Sequence, residues 1–209
     1  MKKILRLTCS PRAQASESYR LSEAVLGHLM NRHPGVQVIE RQLSAGTISH
    51  ADPDYAAVLG GMQSPAGLDQ RGTLAESEML IRELEDTDGL IIGTPMHNYT
   101  VPSALKAWID HIVRVHRSFL PTRQGKVGTL RDRPTFIAIS SGGTYGGGEP
   151  SRQPDFLTPY LAAVLNTVGI RDIAFFSVQG SAYGAEALQA ARAAAQASVA
   201  AHFSAIATV

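Results

Sequence analysis

The sequence predicts an α/β fold with a doubly wound, five-stranded parallel sheet and helices on both faces. Two observations favour this fold class. Segments with strand character alternate with segments of helical periodicity along the chain, which is typical of repeated βαβ units. In addition, Leu90, Ile91 and Ile92 form an uninterrupted apolar run between glycines, as expected for a parallel strand that helices cover on both faces. We find neither an internal repeat nor a linker, so residues 1–209 are expected to form one domain.

The predicted elements follow one another in a regular order. Strands are expected at residues 3–8, 36–41, around 91, 134–140 and 173–178. Helices are expected at residues 18–32, 73–84, 103–115, 158–168 and 185–207. Two longer connections are predicted, one at residues 44–72 with a short helix near 55–59, and a turn-rich one at residues 116–133.

Local chemistry sets several of these boundaries. Leu21, Val25 and Leu29 recur every four residues and therefore support the first helix. Pro95 has no N–H group to donate to a strand ladder, so the central strand is expected to end before it. Gly169 directly follows the predicted helix at 158–168 and is expected to cap its C-terminus.

Composition and charge limit the class of protein. Hydrophobic residues make up 44% of the chain and charged residues 18%, which is ordinary for a globular protein. A formal net charge of +1 provides no general attraction to nucleic acid or to an anionic membrane. The single cysteine, Cys9, excludes an internal disulfide and is compatible with a reducing compartment. Arg6 interrupts the short apolar segment near the start, and no stretch approaches the ~20 apolar residues of a membrane span, so we expect a cytoplasmic location.

Three serine hydroxyls follow the first strand, just ahead of the first helix: Ser10, Ser16 and Ser18. The free N–H groups at a helix N-terminus bind anions, and hydroxyls add further donors. A simple capping serine is the alternative interpretation, but three hydroxyls exceed what a cap requires. The segment therefore predicts a phosphate site. A cysteine phosphatase is excluded because Ala15 stands six residues after Cys9, where such enzymes need arginine, and the Walker pattern is also absent.

Two further loops follow strands at the same predicted edge of the sheet. Ligands of open α/β sheets bind outside the carboxyl ends of the strands, so the loop from Met96 to Tyr99 is expected to line a pocket rather than to be an ordinary connection. After the fourth strand, the glycines of the segment Ser140 to Gly143 would let the backbone approach a planar ligand closely. Residues 146–148 are interpreted as a surface turn. A phosphate tail joined to a flat heterocycle would match all three loops, which suggests flavin mononucleotide (FMN).

With these motifs the chain resembles the FMN-dependent NADH-azoreductase family, which has the flavodoxin-like fold and is related to quinone reductases. The resemblance extends over nearly the whole chain and implies the strand order 2-1-3-4-5. The family's Pro-Met-Tyr/His-Asn-Phe/Tyr pattern appears at Pro95 to Tyr99, its serine loop at Ser10 and Ser16 to Ser18, and its Ser-x-Gly-Gly loop at Ser140 to Gly143. The residues that the resemblance implies for FMN binding are Ser10, Ser16, Glu17, Ser18, Pro95, Met96, His97, Asn98, Tyr99, Ser140, Ser141, Gly142, Gly143 and Tyr145.

The resemblance also implies the reaction. An azo compound or a quinone would be reduced by two electrons in a ping-pong sequence, after NADH or NADPH has donated a hydride to flavin N5 and left. Because the flavin carries the chemistry, no catalytic side chain is essential and no metal is required. His97 and Tyr145 are expected to shape the pocket or to donate protons. A flavodoxin-type FMN electron carrier is the alternative, although such carriers are typically strongly acidic. A flavin-free binding domain is disfavoured because three loops match together.

Family members usually form homodimers whose pocket is completed by the second subunit. The apolar helix at residues 105–112 is therefore the expected interface element, and its Trp108 is expected either in the core or at that interface. The arginines that follow are interpreted as a solvated basic face: Arg114, Arg117 and Arg123.

Overall fold

The computed structural model describes residues 1–44, 46–59, 71–146 and 153–206. The strands are β1 (Lys3–Thr8), β2 (Gln37–Gln42), β3 (Gly89–Pro95), β4 (Phe119–Thr122), β5 (Gly125–Gly128), β6 (Thr135–Ser140) and β7 (Ile173–Val178). The α-helices are α1 (Glu17–Arg32), α2 (Pro53–Leu59), α3 (Gly72–Glu85), α4 (Ser103–Ile112), α5 (Leu157–Val168) and α6 (Ala185–Ile206). The turn predicted at residues 147–148, the middle of the connection at 44–72 and the predicted final helical residue, Ala207, lie outside the described residues.

Five parallel strands form one sheet in the order β2-β1-β3-β6-β7. The predicted order 2-1-3-4-5 is thereby confirmed, because β4 and β5 form a separate pair and the strands of the large sheet keep their sequence rank. The prediction that β3 ends before Pro95 was wrong by one residue. Pro95 pairs in register with Ser140 as the last residue of β3, and the N–H that reaches the Ser140 carbonyl comes from Met96, at 2.7 Å.

The sheet is buried on both faces, as the apolar run of β3 predicted. Leu90 and Ile92 lie in a core shared with α3, α4 and α5, whereas Ile91 faces a second core shared with α1 and α6. All three side chains are fully buried. Gly169 caps α5 in the left-handed conformation, with φ of 109°, as expected. Within the described residues, no helix combines the length and the apolar character needed to cross a membrane.

Residues 116–133 contain a feature that the sequence did not indicate, the antiparallel hairpin of β4 and β5. Its strands have four residues each and carry a proline or glycines, so no alternation of apolar and polar residues predicted them. The preceding helix also ends earlier than expected, at Ile112, since the N–H of Arg114 donates to the Ser118 hydroxyl instead of continuing the helix.

The expected basic face was wrong for two of its three arginines. Arg114 is only 8% exposed and donates to the carboxylate of Glu78 at 2.6 Å. Arg117 bridges Glu78 and Glu85, with its closest contacts at 3.0 and 2.7 Å. These arginines therefore join the end of α4 to α3, while Arg123 is exposed.

The apolar stripe of α4 was also misassigned as a subunit interface. Leu105, Trp108, Ile109 and Ile112 are buried in the core of their own chain, which confirms the core alternative for Trp108. The exposed positions of α4 are polar and include Lys106 and Asp110. Because folding of the chain buries this stripe, the stripe offers no apolar surface to a partner subunit.

The Glu78 cluster predicts acid sensitivity. Hydrogen bonds from Arg117, supported by Arg82 and Arg114, lower the pKa of Glu78 from 4.5 to about 2. The stabilisation is therefore fully present above pH 4.5 and is lost as the pH falls through about 2. We expect Glu78→Gln to lower the free energy of unfolding by about 1–2 kcal/mol at neutral pH, allowing for solvent screening, and the difference from wild type to shrink towards pH 2.

Urea unfolding as a function of pH tests this expectation. The control is Glu186→Gln, which removes an exposed carboxylate that has no ion pair within the described part of the chain. A constant difference between wild type and Glu78→Gln at every pH would contradict the account.

Candidate functional site

Three loops meet at the carboxyl edge of the sheet, as predicted. They follow β1, β3 and β6 and enclose a cleft of about 200 Å³. The predicted residues that line it are Ser10, Ser16, Glu17, Pro95, Met96, His97, Ser140, Ser141 and Gly142. Sequence reasoning missed Pro11, Arg12 and Ser181, which also line it. Ser181 follows β7, where an ordinary Gly-Ser turn provided no signal.

The serine loop is built around the first turn of α1. Ser16 is the N-cap, and its hydroxyl accepts a hydrogen bond from the N–H of Tyr19 at 3.1 Å. Ser18 is fully buried, with its hydroxyl 3.4 Å from that of Ser16. The N–H groups of Glu17 and Ser18 belong to the helix's unpaired first turn and find no acceptor within the described ranges. Hydroxyls and free N–H groups thus converge on one point, which suits a phosphate.

Charged side chains surround this point. The Glu17 carboxylate accepts two hydrogen bonds from Arg192, both at 2.7 Å, and one from Arg20 at 2.7 Å. The hydrogen bond from Arg192 is the main reason that the pKa of Glu17 is lowered, so Glu17 is ionised at neutral pH. Arg12 lines the cleft, and its guanidinium has no partner in the part of the chain that the structure describes. The three arginines Arg12, Arg20 and Arg192 carry more positive charge than the single carboxylate of Glu17 offsets, so the net charge of this region is positive.

The loop after β3 is a tight turn. His97 and Thr100 exchange backbone hydrogen bonds at 2.9 and 3.0 Å, and the two residues between them, Asn98 and Tyr99, have φ of 48° and 72°. Asparagine tolerates this left-handed conformation, whereas a bulky residue such as tyrosine adopts it at a cost in strain. The N–H groups of Asn98 and Tyr99 are unpaired within the described residues. All three side chains from His97 to Tyr99 are exposed.

The glycine loop after β6 is held in place by the loop after β7. The carbonyls of Gly142 and Gly143 accept hydrogen bonds from Ala182 and Gly180 at 3.1 and 3.0 Å. The Ser141 hydroxyl donates to the Gly143 carbonyl at 2.8 Å. The N–H groups of residues 142–144 have no acceptor among the described residues. A rigid strip of backbone donors therefore borders the cleft.

No contact among the described residues requires glycine at positions 142 and 143. Neither residue has the left-handed backbone that favours glycine. A Cβ atom on Gly142 would lie 3.6 Å from the Cβ of Ala182, and one on Gly143 would lie 3.4 Å from Gln153, which are ordinary contacts. Among the described residues, only Ala182 comes within 4 Å of a Cβ on Gly142, so there is open space beside this residue of the cleft wall.

Aromatic side chains form a rim beside the cleft and do not line it. The ring of Tyr99 meets those of Tyr145 and Phe156 edge-on, with centroids 5.9 and 6.5 Å apart. Five of the predicted residues do not line the cleft: Ser18, Asn98, Tyr99, Gly143 and Tyr145. Phe156 and Tyr183 are 58% and 62% exposed. This rim is apolar and open to solvent.

Cys9 lies beneath the site and does not act as a nucleophile. It is buried, and desolvation raises the pKa of its thiol far above the ordinary range. The thiol therefore stays protonated. Its backbone serves the fold instead, since its N–H donates to the Gly93 carbonyl at 2.9 Å.

A family model and relatives of similar sequence indicate the same fold and the same family for this chain. A family model described as a flavodoxin-like fold matches residues 2–203. The FMN-dependent NADH:quinone oxidoreductase 4 of Pseudomonas fluorescens (strain Pf-5) is 46% identical over 191 residues, which cover 91% of this chain and 90% of the relative. The FMN-dependent NADH:quinone oxidoreductase 2 of Cupriavidus pinatubonensis is 44% identical over 184 residues, covering 88% and 89%.

Solved structures show the same fold. An azoreductase from Bacillus anthracis str. Sterne superposes with a TM-score of 0.81 at 22% identity, covering 97% of this chain and 99% of that protein. An FMN-dependent NADH-azoreductase from Bacillus anthracis str. Ames Ancestor, solved in complex with FMN, superposes with a TM-score of 0.78 at 23% identity, covering 96% and 98%.

Proposed function

The chain belongs to the flavodoxin-like family of FMN-dependent NADH:quinone oxidoreductases, and we propose that it binds FMN in the cleft between its three loops. It is an oxidoreductase that takes electrons from NADH or NADPH and passes them to quinones or azo compounds. One observation carries the location of the site: the serine loop, with unpaired N–H groups in the first turn of α1, and Gly142, whose N–H has no acceptor among the described residues, line the same cleft.

The serine end fits the FMN phosphate. Ser10, Ser16 and Ser18 supply hydroxyls, and the N–H groups of Glu17 and Ser18 supply the free donors of a helix N-terminus. The Ser10 hydroxyl already accepts a backbone N–H group, so its hydrogen remains free to donate to a phosphate oxygen.

The glycine loop after β6 and the loop after β3 fit a flat, polar ring. The backbone N–H groups of Gly142 and Gly143 suit the carbonyl-rich pyrimidine edge of a flavin. The turn at Asn98 and Tyr99 offers two more N–H groups on a neighbouring side of the cleft. Met96 is half-buried against the core and provides an apolar surface beneath the ring. Pro95, Ser140 and Ser141 complete this wall.

The chain's own residues bind and orient, while the redox chemistry belongs to the cofactor. When bound, FMN would supply the redox chemistry, which is hydride acceptance from the nicotinamide and two-electron reduction of the acceptor. His97 and Tyr145 shape the pocket. Because both lie at an exposed edge, solvent can supply the protons that the acceptor needs.

Reduction by NADH tests the function directly. We expect anaerobic mixing of the FMN-loaded protein with NADH to bleach the visible absorbance of the flavin without any other protein, and a quinone to restore it. An electron carrier of flavodoxin type would need a separate reductase, so bleaching by neither NADH nor NADPH would contradict the proposed activity.

The ring position is tested by Gly142→Ala. The added methyl group meets only ordinary contacts within the chain, so the thermal stability of the apoprotein should not change. It occupies space that the flavin needs, so we expect FMN affinity, measured by fluorescence titration, to fall about tenfold. Gly27→Ala, at an exposed site in α1 with nothing within 4 Å, is the control. Unchanged affinity in Gly142→Ala would place the ring elsewhere.

We further propose a cytoplasmic homodimer. The buried free thiol of Cys9 is compatible with a reducing compartment. The hairpin of β4 and β5 carries the exposed apolar side chains Leu120 and Val127, 45% and 49% exposed, and this surface replaces the α4 stripe as the candidate contact. Sedimentation velocity at micromolar concentration should give a dimer, and a monomer throughout would refute this assembly.

A further inference from the structure

We propose that Arg192, on α6, is a positioning residue for the FMN phosphate because it neutralises Glu17 and holds that carboxylate away from the phosphate. The inference rests on the proposed FMN binding and assigns a role to a helix that lies outside the three loops.

Glu17 is an unfavourable residue at a phosphate site. It is the first residue of α1, is 8% exposed, and lines the same cleft as Ser10 and Ser16. A carboxylate here interacts favourably with the positive end of the helix and thereby competes with the phosphate for it. It also repels the phosphate directly, and the repulsion is stronger because the group is largely shielded from water.

Arg192 removes this conflict through its geometry. Its Nε and Nη2 atoms donate to the two carboxylate oxygens of Glu17, each at 2.7 Å, in the two-pronged arrangement that gives arginine its strongest pairing. Both oxygens are thereby engaged from the side of α6. The pair borders a second cleft of about 130 Å³ between α1 and α6, and Glu17 lines both this cleft and the one with the serines.

Arg20 cannot replace this contact. It lies three residues from Glu17 on the same helix, is more than half exposed, and makes a single hydrogen bond to Glu17. Exposed pairs of this kind contribute only a few tenths of a kcal/mol. Loss of Arg192 would therefore leave Glu17 with one weak, screened partner and its second oxygen free to face the cleft.

The balance of charge supports the same role. With Glu17 paired to Arg192, the guanidinium of Arg12 remains in the cleft without a partner among the described residues. The phosphate then meets free N–H groups, hydroxyls and an unopposed cation. Without Arg192, the negative charge of Glu17 would offset the positive charge of Arg12.

The experiment measures the affinity of the apoprotein for FMN and for riboflavin, which lacks the phosphate, by flavin fluorescence. We expect Arg192→Gln to weaken FMN binding about tenfold and to leave riboflavin binding unchanged. The double variant Glu17→Gln with Arg192→Gln should return FMN affinity to within about threefold of wild type, since the repelling charge is gone.

A matched control is Arg41→Gln. Arg41 donates to both carboxylate oxygens of Glu83, at 2.7 and 3.0 Å, so this variant also breaks a two-pronged pair, but one between β2 and α3. Its affinity for FMN should equal that of wild type.

Three results would overturn the inference: wild-type FMN affinity in Arg192→Gln, an equal loss of riboflavin affinity, or no recovery in the double variant. The second would mean that Arg192 only supports the local fold. These results differ from a wild-type protein that takes up no FMN at all, which would refute the proposed function and this inference with it.

Discussion

The site depends on how closely the first half of α1 packs against the sheet. At Gly93 in β3, a Cβ atom would lie 3.0 Å from the Ser22 hydroxyl and 3.1 Å from the Ser18 carbonyl, so a larger residue would push α1 outward by a few tenths of an ångström. Arg6, which is buried in β1, also holds α1 against the sheet. It donates to the Tyr19 carbonyl at 3.2 Å and to the Ser22 hydroxyl at 2.8 Å. The first turn of α1, with its free N–H groups, is thereby held at the edge of the sheet.

The packing of α6 sets the charge at that turn. Ala195, Val199 and Phe203 recur at helical spacing and are buried in the core that α6 shares with α1. Arg192 lies one turn before Ala195 on the same face, so burial of this apolar stripe directs the guanidinium towards Glu17. Core packing and the charge at the proposed phosphate site are therefore consequences of the same helix register.

Local patterns were sufficient to predict the five strands of the large sheet, and the family resemblance supplied their order. β1 and β7 have the predicted bounds, because their apolar residues and flanking turns are contiguous in sequence. The convergence of three loops followed from the rule that parallel strands bring their carboxyl ends to one edge. The sequence could not predict what depends on distant partners. Glu17 and Arg192 are 175 residues apart, and Arg114, which follows α4, pairs with Glu78 on α3. No local sequence pattern predicts either of these ion pairs. The apolar stripe of α4 predicts that this face of the helix is buried. It does not distinguish burial in the core of the same chain from burial against a second subunit.

The most direct test of the account is a crystal structure of the protein with FMN. We predict phosphate oxygens within about 3 Å of the Ser16 and Ser18 hydroxyls and of the Glu17 and Ser18 N–H groups, and a ring whose pyrimidine edge meets Gly142 and Gly143. A flavin whose phosphate lies away from the N-terminus of α1, or whose ring lies outside the cleft between the loops after β3 and β6, would contradict it.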